Sequence, residues 1–175
     1  MPIKDSANVG GALERLMESE QASTAQLSFD LNFSKSMVNH IKNDIRKMPA
    51  DVARESIRLY DNPEYIMDIV YEFSDGYTSP VLRGANIEHH RLASAAHVKR
   101  EAHTMLLLIE ESQLEKVPGQ LSTEEREAIN QLVDAVIVSR IHHDNLLKQL
   151  QVEYRVSVKE RLKGIVRRFM AVGWI

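Results

Sequence analysis

The stretch "LSFDLNFSKSMVNHIKND", Leu27 to Asp44, decides how the rest of the chain is read. A short apolar segment, an Asn-Phe-Ser corner and a polar segment follow one another without a spacer. In the polar segment Val38 and Ile41 recur at a spacing of three with Met37 beside them, so a helix there turns one narrow apolar face inward. Lys35, Ser36, Asn39, His40, Lys42 and Asn43 are left outside. A packed core alone does not require that order; two short helices crossing steeply at a tight turn do. That geometry makes four demands. Ser28 supplies a small residue at the crossing, and Asn32 tolerates a left-handed corner. Phe33 plugs the shared core, and the Ser34 hydroxyl caps the second helix.

Outward from this stretch, turn and cap signals divide the chain into helices. Gly10-Gly11 precede the first helical pattern, "KMP" at Lys47–Pro49 opens another, and Asn62-Pro63 offers a cap followed by proline in the first turn. "SDGYTSPVLRG", Ser74–Gly84, reads as a linker, with Tyr77 expected to pack back on the small domain. After "KVPGQLSTEE", Ser122 or Thr123 with the glutamates that follow forms a helix start. Beyond Gly84, Ala95, Val98, Ala102, Met105 and Ile109 form one stripe. Ile129, Leu132, Val133, Val136, Ile137, Leu147 and Leu150 form a second, interrupted by the polar run "SRIHHDN". The two stripes predict an antiparallel helical pair. "YRVSV", Tyr154–Val158, is the sole strand-like alternation. The fold class expected is all-α: five short helices in residues 1–73, a linker at 74–84, then a long hairpin and a terminal helix over 85–175.

Composition narrows the function classes. The 175 residues are 43% hydrophobic and 27% charged with a net charge of -3, enough for one good core, or one small core plus an extended helical part. No apolar run approaches the roughly 18 residues of a spanning helix, and the start lacks a secretory pattern, so no membrane partner and a cytoplasmic location are expected. Absence of cysteine excludes disulfides and thiolate metal sites and fits a reducing compartment. "GGALERL" lacks the Lys-Ser/Thr pair of a phosphate loop, and no serine stands in a nucleophile elbow. No enzyme, catalytic residue or cofactor is therefore expected. Histidines 89, 90, 97 and 103 on one expected helix and His142-His143 on the next raise a metal site. A single ion, however, would need ligands from both helices, so surface or partly packed histidines are the expectation.

Charge is unevenly distributed. From Lys35 to Arg58 there are six cations, Lys35, Lys42, Arg46, Lys47, Arg54 and Arg58, against Asp44, Asp51 and Glu55, a local excess of three. Phosphate neutralisation dominates affinity for a duplex, and asparagine can pair bidentately with adenine in the major groove. From Lys148 onward seven cations face Glu153 and Glu160. There Val158, Leu162, Ile165, Val166 and Phe169 form an opposing apolar stripe. That amphipathic segment either adds DNA contacts, docks on an acidic protein partner or closes the helical core.

"LERLMESEQASTAQLSFDLNFSKSMVNHIKNDIRKMP", Leu13–Pro49, resembles the Xre/Cro-type helix-turn-helix domains of phage repressors and bacterial regulators, carried by Leu27, Ser28, Leu31, Phe33, Ser34, Val38 and Ile41. The remainder, with "DNPEYIMDIVYEFSDGYTSPVLRG" and the final "GWI", more loosely resembles prophage-associated Xre-like proteins of Gram-positive bacteria. Thr24 stands where such domains usually carry Gln, Asn32 where they carry Gly, and His40 where they carry Arg or Lys. The resemblance implies a lambda-repressor-like five-helix domain whose recognition helix is residues 34–43. Lys35, Ser36, Asn39, His40 and Asn43 would meet base edges, and Thr24, Lys42, Arg46 and Lys47 would meet phosphates. The expected function is a sequence-specific transcriptional regulator, such as a phage or prophage repressor. It would bind double-stranded DNA as a homodimer joined through residues 85–154. The alternative is a protein-interaction adaptor on the same scaffold with no direct DNA contact.

Overall fold

The computed structural model describes residues 3–175. The fold is all-α, with one minor two-residue pairing between β1 (Ser6–Ala7) and β2 (Met48–Pro49). The chain divides into two compact units: residues up to Val81 together with Ser157–Ile175, and Leu82–Val156. The terminal helix thus groups with the first unit, whereas its place in the sequence assigns it to the hairpin region 85–175.

In the first unit, α1 (Gly10–Ser19), α2 (Thr24–Asp30), α3 (Lys35–Lys42), α4 (Ala50–Leu59) and α5 (Pro63–Phe73) surround one apolar core. Leu13 and Leu16 of α1, Leu27 of α2, Val38 and Ile41 of α3, Met48, and Tyr65, Ile69 and Phe73 of α5 are buried together. Burying each large aliphatic side chain contributes about 1.5–3 kcal/mol, so this cluster rather than helix propensity holds such short helices. Gly10 and Gly11, expected to precede the first helix, are instead its first two residues, whereas the start expected at Asn62-Pro63 holds. Asn62 Oδ1 accepts from Tyr65 N at 3.0 Å, and Pro63 occupies the first turn of α5.

Helix α1 has no side-chain cap of its own; its cap comes from 34 residues away, where Asp44 Oδ1 accepts the Gly10 N–H at 2.8 Å. The approach is close enough that a Cβ on Gly10 would lie 2.3 Å from the Lys42 carbonyl oxygen. In α5, Tyr65 is buried with its hydroxyl donating to Ser56 Oγ at 2.8 Å, and burial pushes its phenol up to about 12. Tyr60 donates a short hydrogen bond to Asp30, and burial followed by that carboxylate raises the Tyr60 phenol strongly.

α8 (Val158–Ala171) carries no buried residue, so it does not close a core. Its Lys159 ammonium donates to the Ile57 and Arg58 carbonyls, each at 3.2 Å, satisfying orphan acceptors at the end of α4. Beyond α8, Trp174 packs on Phe169 with ring centroids 5.1 Å apart. The strand-like reading of 154–158 is not realised: α7 runs through Tyr154, Arg155 turns left-handed at φ 55°, and α8 begins at Val158.

The second unit is an antiparallel hairpin of α6 (Arg91–Glu111) and α7 (Thr123–Tyr154). Ser122 and Glu125 form the reciprocal capping box expected at the start of α7, with bonds of 3.1 and 2.9 Å. Arg91 and Glu153 pair at 2.5 Å near the other end, and that hydrogen bond, after one from Gln149, lowers the Glu153 carboxyl. Part of the polar run Ser139–Asn145 contributes to the unit's interior, while Arg140 and His143 are exposed. His142 stacks on His97 with centroids 5.1 Å apart, Ser139 is buried, and Asn145 Oδ1 accepts from Leu82 N at 3.0 Å. Lys148, which the sequence groups with the basic tail, is buried on α7.

The 74–84 segment is structured by its own turn. Asp75 and Gly76 take φ of 58° and 80°, Ser74 Oγ accepts from Thr78 N at 3.3 Å, and Asp75 pairs with Lys4 at 2.6 Å. Tyr77, expected to pack back on the small domain, is instead exposed, while Ser79 and Val81 are buried.

Candidate nucleic-acid interface

The site is built by the four residues between α2 and α3. Asn32 adopts φ 53°, a conformation asparagine accepts more readily than other non-glycine residues. The chain then reverses so that Phe33 N donates to the Ser28 carbonyl at 2.9 Å. Ser28 does more than make room. Its hydroxyl donates to the Phe33 carbonyl at 2.5 Å and closes the corner from the other side. Ser34 Oγ accepts from Met37 N at 3.1 Å and caps α3; Ser23 caps α2 in the same way through Gln26 N. Phe33 packs half-buried against the core, as its position requires.

With Val38 and Ile41 fixed inward, the helical repeat turns Lys35, Ser36, Asn39 and His40 to one outward arc, and all four are exposed. None of these four side chains makes a hydrogen bond or ion pair among the described residues. Arg46 and Lys47 are likewise exposed just beyond the end of α3. There Asp44 turns left-handed at φ 53° and Ile45 N returns to the His40 carbonyl at 2.9 Å. Two carboxylates flank these helices and both are already engaged: Asp44 on Gly10 N, Asp30 on Tyr60 and Gln26. Neither stands within the outward arc of α3.

Three of the residues named from the sequence sit differently. Asn43 is the C-terminal cap of α3, and its amide donates back to the Asn39 carbonyl at 2.9 Å, spending one of its donors inside the helix. Lys42 is half-buried and lies 3.6 Å from Glu14, so its charge is shared with α1. Thr24 opens α2 half-buried, one residue after the Ser23 cap. Two apolar side chains join the surface without a clear warning in the sequence: Phe29 on α2 is 84% exposed and Ile45 after α3 is 71% exposed. Only the mismatch of each with the 3.6-residue apolar stripe of its neighbours would have marked them.

The histidines do not converge. His90 Nδ1 accepts from Leu92 N at 3.2 Å as the cap of α6, His143 bonds the Ser139 carbonyl at 2.7 Å, and His97 and His142 stack on one another. Burial, then the neighbouring His97, lowers the His142 imidazole below its ordinary range. Among the described residues no three histidines, aspartates or glutamates gather around a point an ion would occupy, and no helix is long and apolar enough to cross a membrane.

No protein-family model, no curated protein and no solved structure matches the chain.

Proposed function

We propose that the first unit is a helix-turn-helix DNA-binding module and that the protein is a sequence-specific transcriptional regulator, phage- or prophage-related, acting as a homodimer. The observation that carries this reading is the outward arc of α3. Lys35, Ser36, Asn39 and His40 are exposed and unengaged on a helix whose opposite side is anchored by Val38 and Ile41. Donors of this kind on a rigid rod suit the major groove, where Asn39 would pair with adenine and Lys35 with guanine. Arg46 and Lys47, exposed just beyond the C-terminus of α3, supply cations for the phosphate backbone, while Thr24, Lys42 and Asn43 act as flanking rather than principal contacts. A single helix reads few base pairs, so paired half-sites supply the remaining affinity.

A second reading, a protein-interaction adaptor, is favoured by Phe29 and Ile45, two exposed apolar side chains on or beside the same helices. Fluorescence anisotropy with random duplex DNA separates the two. Binding that weakens steeply between about 50 and 200 mM salt supports the DNA reading. Indifference to DNA at low salt supports the adaptor.

A further inference from the structure

The α6–α7 hairpin covers much of its apolar surface only in part. Among the described residues Leu132 is the one buried apolar side chain on either helix. The covered side of each helix mixes half-buried apolar residues, Val98, Met105 and Leu108 on α6 and Ala128 and Ala135 on α7, with the polar Ser139, Ser112 and the His97–His142 stack. Much of the aliphatic surface points elsewhere: Leu106, Ile109, Val133, Val136 and Ile137 are 39–53% exposed, while Leu92, Leu107, Val138, Leu147 and Val152 are exposed at other positions of the two helices.

These five residues share one face. On α6, Leu106 and Ile109 are three apart; on α7, Val133 lies three residues from Val136 and four from Ile137. The Arg91–Glu153 pair and the His97–His142 stack set an antiparallel register that brings Leu106 and Ile109 level with the Val133 turn of α7. In an antiparallel pair, positions displaced in the same rotational sense from the seam lie on the same side. Both rows are displaced in that way. The half-buried Ile129 extends the α7 row toward the hairpin tip.

We infer that this face is where a second copy of the chain docks, the two hairpins closing into a four-helix bundle about a twofold axis. Two aliphatic rows at one level, one per helix, are half the core of such a bundle. A twofold partner presents the same two rows in return. No charged residue interrupts the rows, and Lys99, Glu110, Arg126 and Arg140 are exposed around them. An apolar centre with a polar rim is the anatomy of a stable interface. Six partly exposed aliphatic side chains offer roughly 400–500 Å², and with the rim the face approaches the ~800 Å² per partner of a standard interface. The inference rests on the homodimer part of the proposed function and gives it a location; DNA binding is not assumed.

The full chain contains no cysteine, so single cysteines report proximity without background. Val133→Cys and Val136→Cys are expected to cross-link into a covalent dimer with a short bismaleimide, while Asp134→Cys, on another face of α7, stays monomeric. Sedimentation should give a particle of twice 20.0 kDa for the native chain. For Val133→Glu with Ile137→Glu it should give a monomer at micromolar concentration with unchanged helical circular dichroism. A native chain that sediments as a monomer at tens of micromolar overturns the inference. So does equal cross-linking at Asp134→Cys, or a dimer that survives the double glutamate variant. All these measurements are made without DNA, so a dimer that ignores duplex sinks only the DNA reading, and a monomer that binds duplex sinks only this one.

Discussion

Removing the Asp44 carboxylate tests how the first unit is stapled. Asp44 does two things at once: it accepts the Gly10 N–H at 2.8 Å, capping α1 from the far end of α3, and it holds φ 53° at the exit of α3. Loss of a side-chain cap costs about 0.5–2 kcal/mol. Forcing alanine into the left-handed region costs roughly 1–2 kcal/mol more. Asp44→Ala should therefore be destabilised by about 2–3 kcal/mol in all. Asp44→Asn keeps an acceptor oxygen and tolerates the backbone, so its penalty should be well under half as large. Asp44→Gly gives up the cap but relieves the backbone, and should fall between. Urea unfolding followed by circular dichroism reads the series. With a slope of about 1–3 kcal/mol per molar, the alanine midpoint should drop by about 1–2 M. Equal midpoints for alanine and asparagine, or an alanine variant as stable as the native chain, would disprove both the cap and the strain.

Other named residues give three more expected outcomes. Lys35→Ala combined with Asn39→Ala should weaken binding to a selected operator by about 1–3 kcal/mol for each base edge left unbonded, with the thermal midpoint unchanged; a large drop in that midpoint would mean the two side chains serve the core. The Tyr65 phenol is raised to about 12 against an ordinary value of 10, so its contribution is complete below pH 10 and disappears as pH climbs toward 12. Tyr65→Phe should therefore flatten the alkaline limb of the stability profile while costing about 1 kcal/mol at neutral pH, because the bond to Ser56 is removed. The His142 imidazole is lowered by burial first and His97 second, so the unfolded chain takes up the proton more readily. Hairpin stability should be full above the ordinary histidine value near 6.5 and decline as pH falls below it, and His142→Gln should remove that dependence; an acid limb that His142→Gln leaves unchanged would count against the stack.

Much of the first unit was legible because local chemistry and global packing agree there. Asn32 announces its left-handed turn, Ser34 and Asn62 announce helix starts, and Val38 and Ile41 declare which side of α3 is buried. The long-range staple from Asp44 to Gly10 was not legible, since nothing in the local sequence links residues 34 apart. Asn43 and Lys42 mislead for a related reason: a polar side chain at a helix end has its own backbone and neighbours to satisfy before any ligand. In the hairpin, periodicity identifies both helices but not which face of each meets the other. Val98, Ala102, Met105 and Leu132 of the expected stripes are covered along with Ser139 and the histidines, whereas Ile109, Val133, Val136 and Ile137 are exposed. Tyr77 misleads because an aromatic in a turn signals burial by composition, while beside the left-handed Asp75–Gly76 turn it is left exposed and Ser79 and Val81 are buried instead.

Whether the outer face of α3 meets a nucleotide groove is decided by a salt titration of DNA binding. Titrating the native chain and the Arg46→Ala and Lys47→Ala variants with duplex DNA gives the dependence of affinity on salt. Each lysine or arginine that neutralises a phosphate adds about 0.9 to the slope of log affinity against log salt. A steep slope is expected for the native chain, reduced by about one for each phosphate-neutralising cation removed. Negligible native affinity at low salt, or a slope indifferent to both substitutions, would mean that this face does not serve DNA.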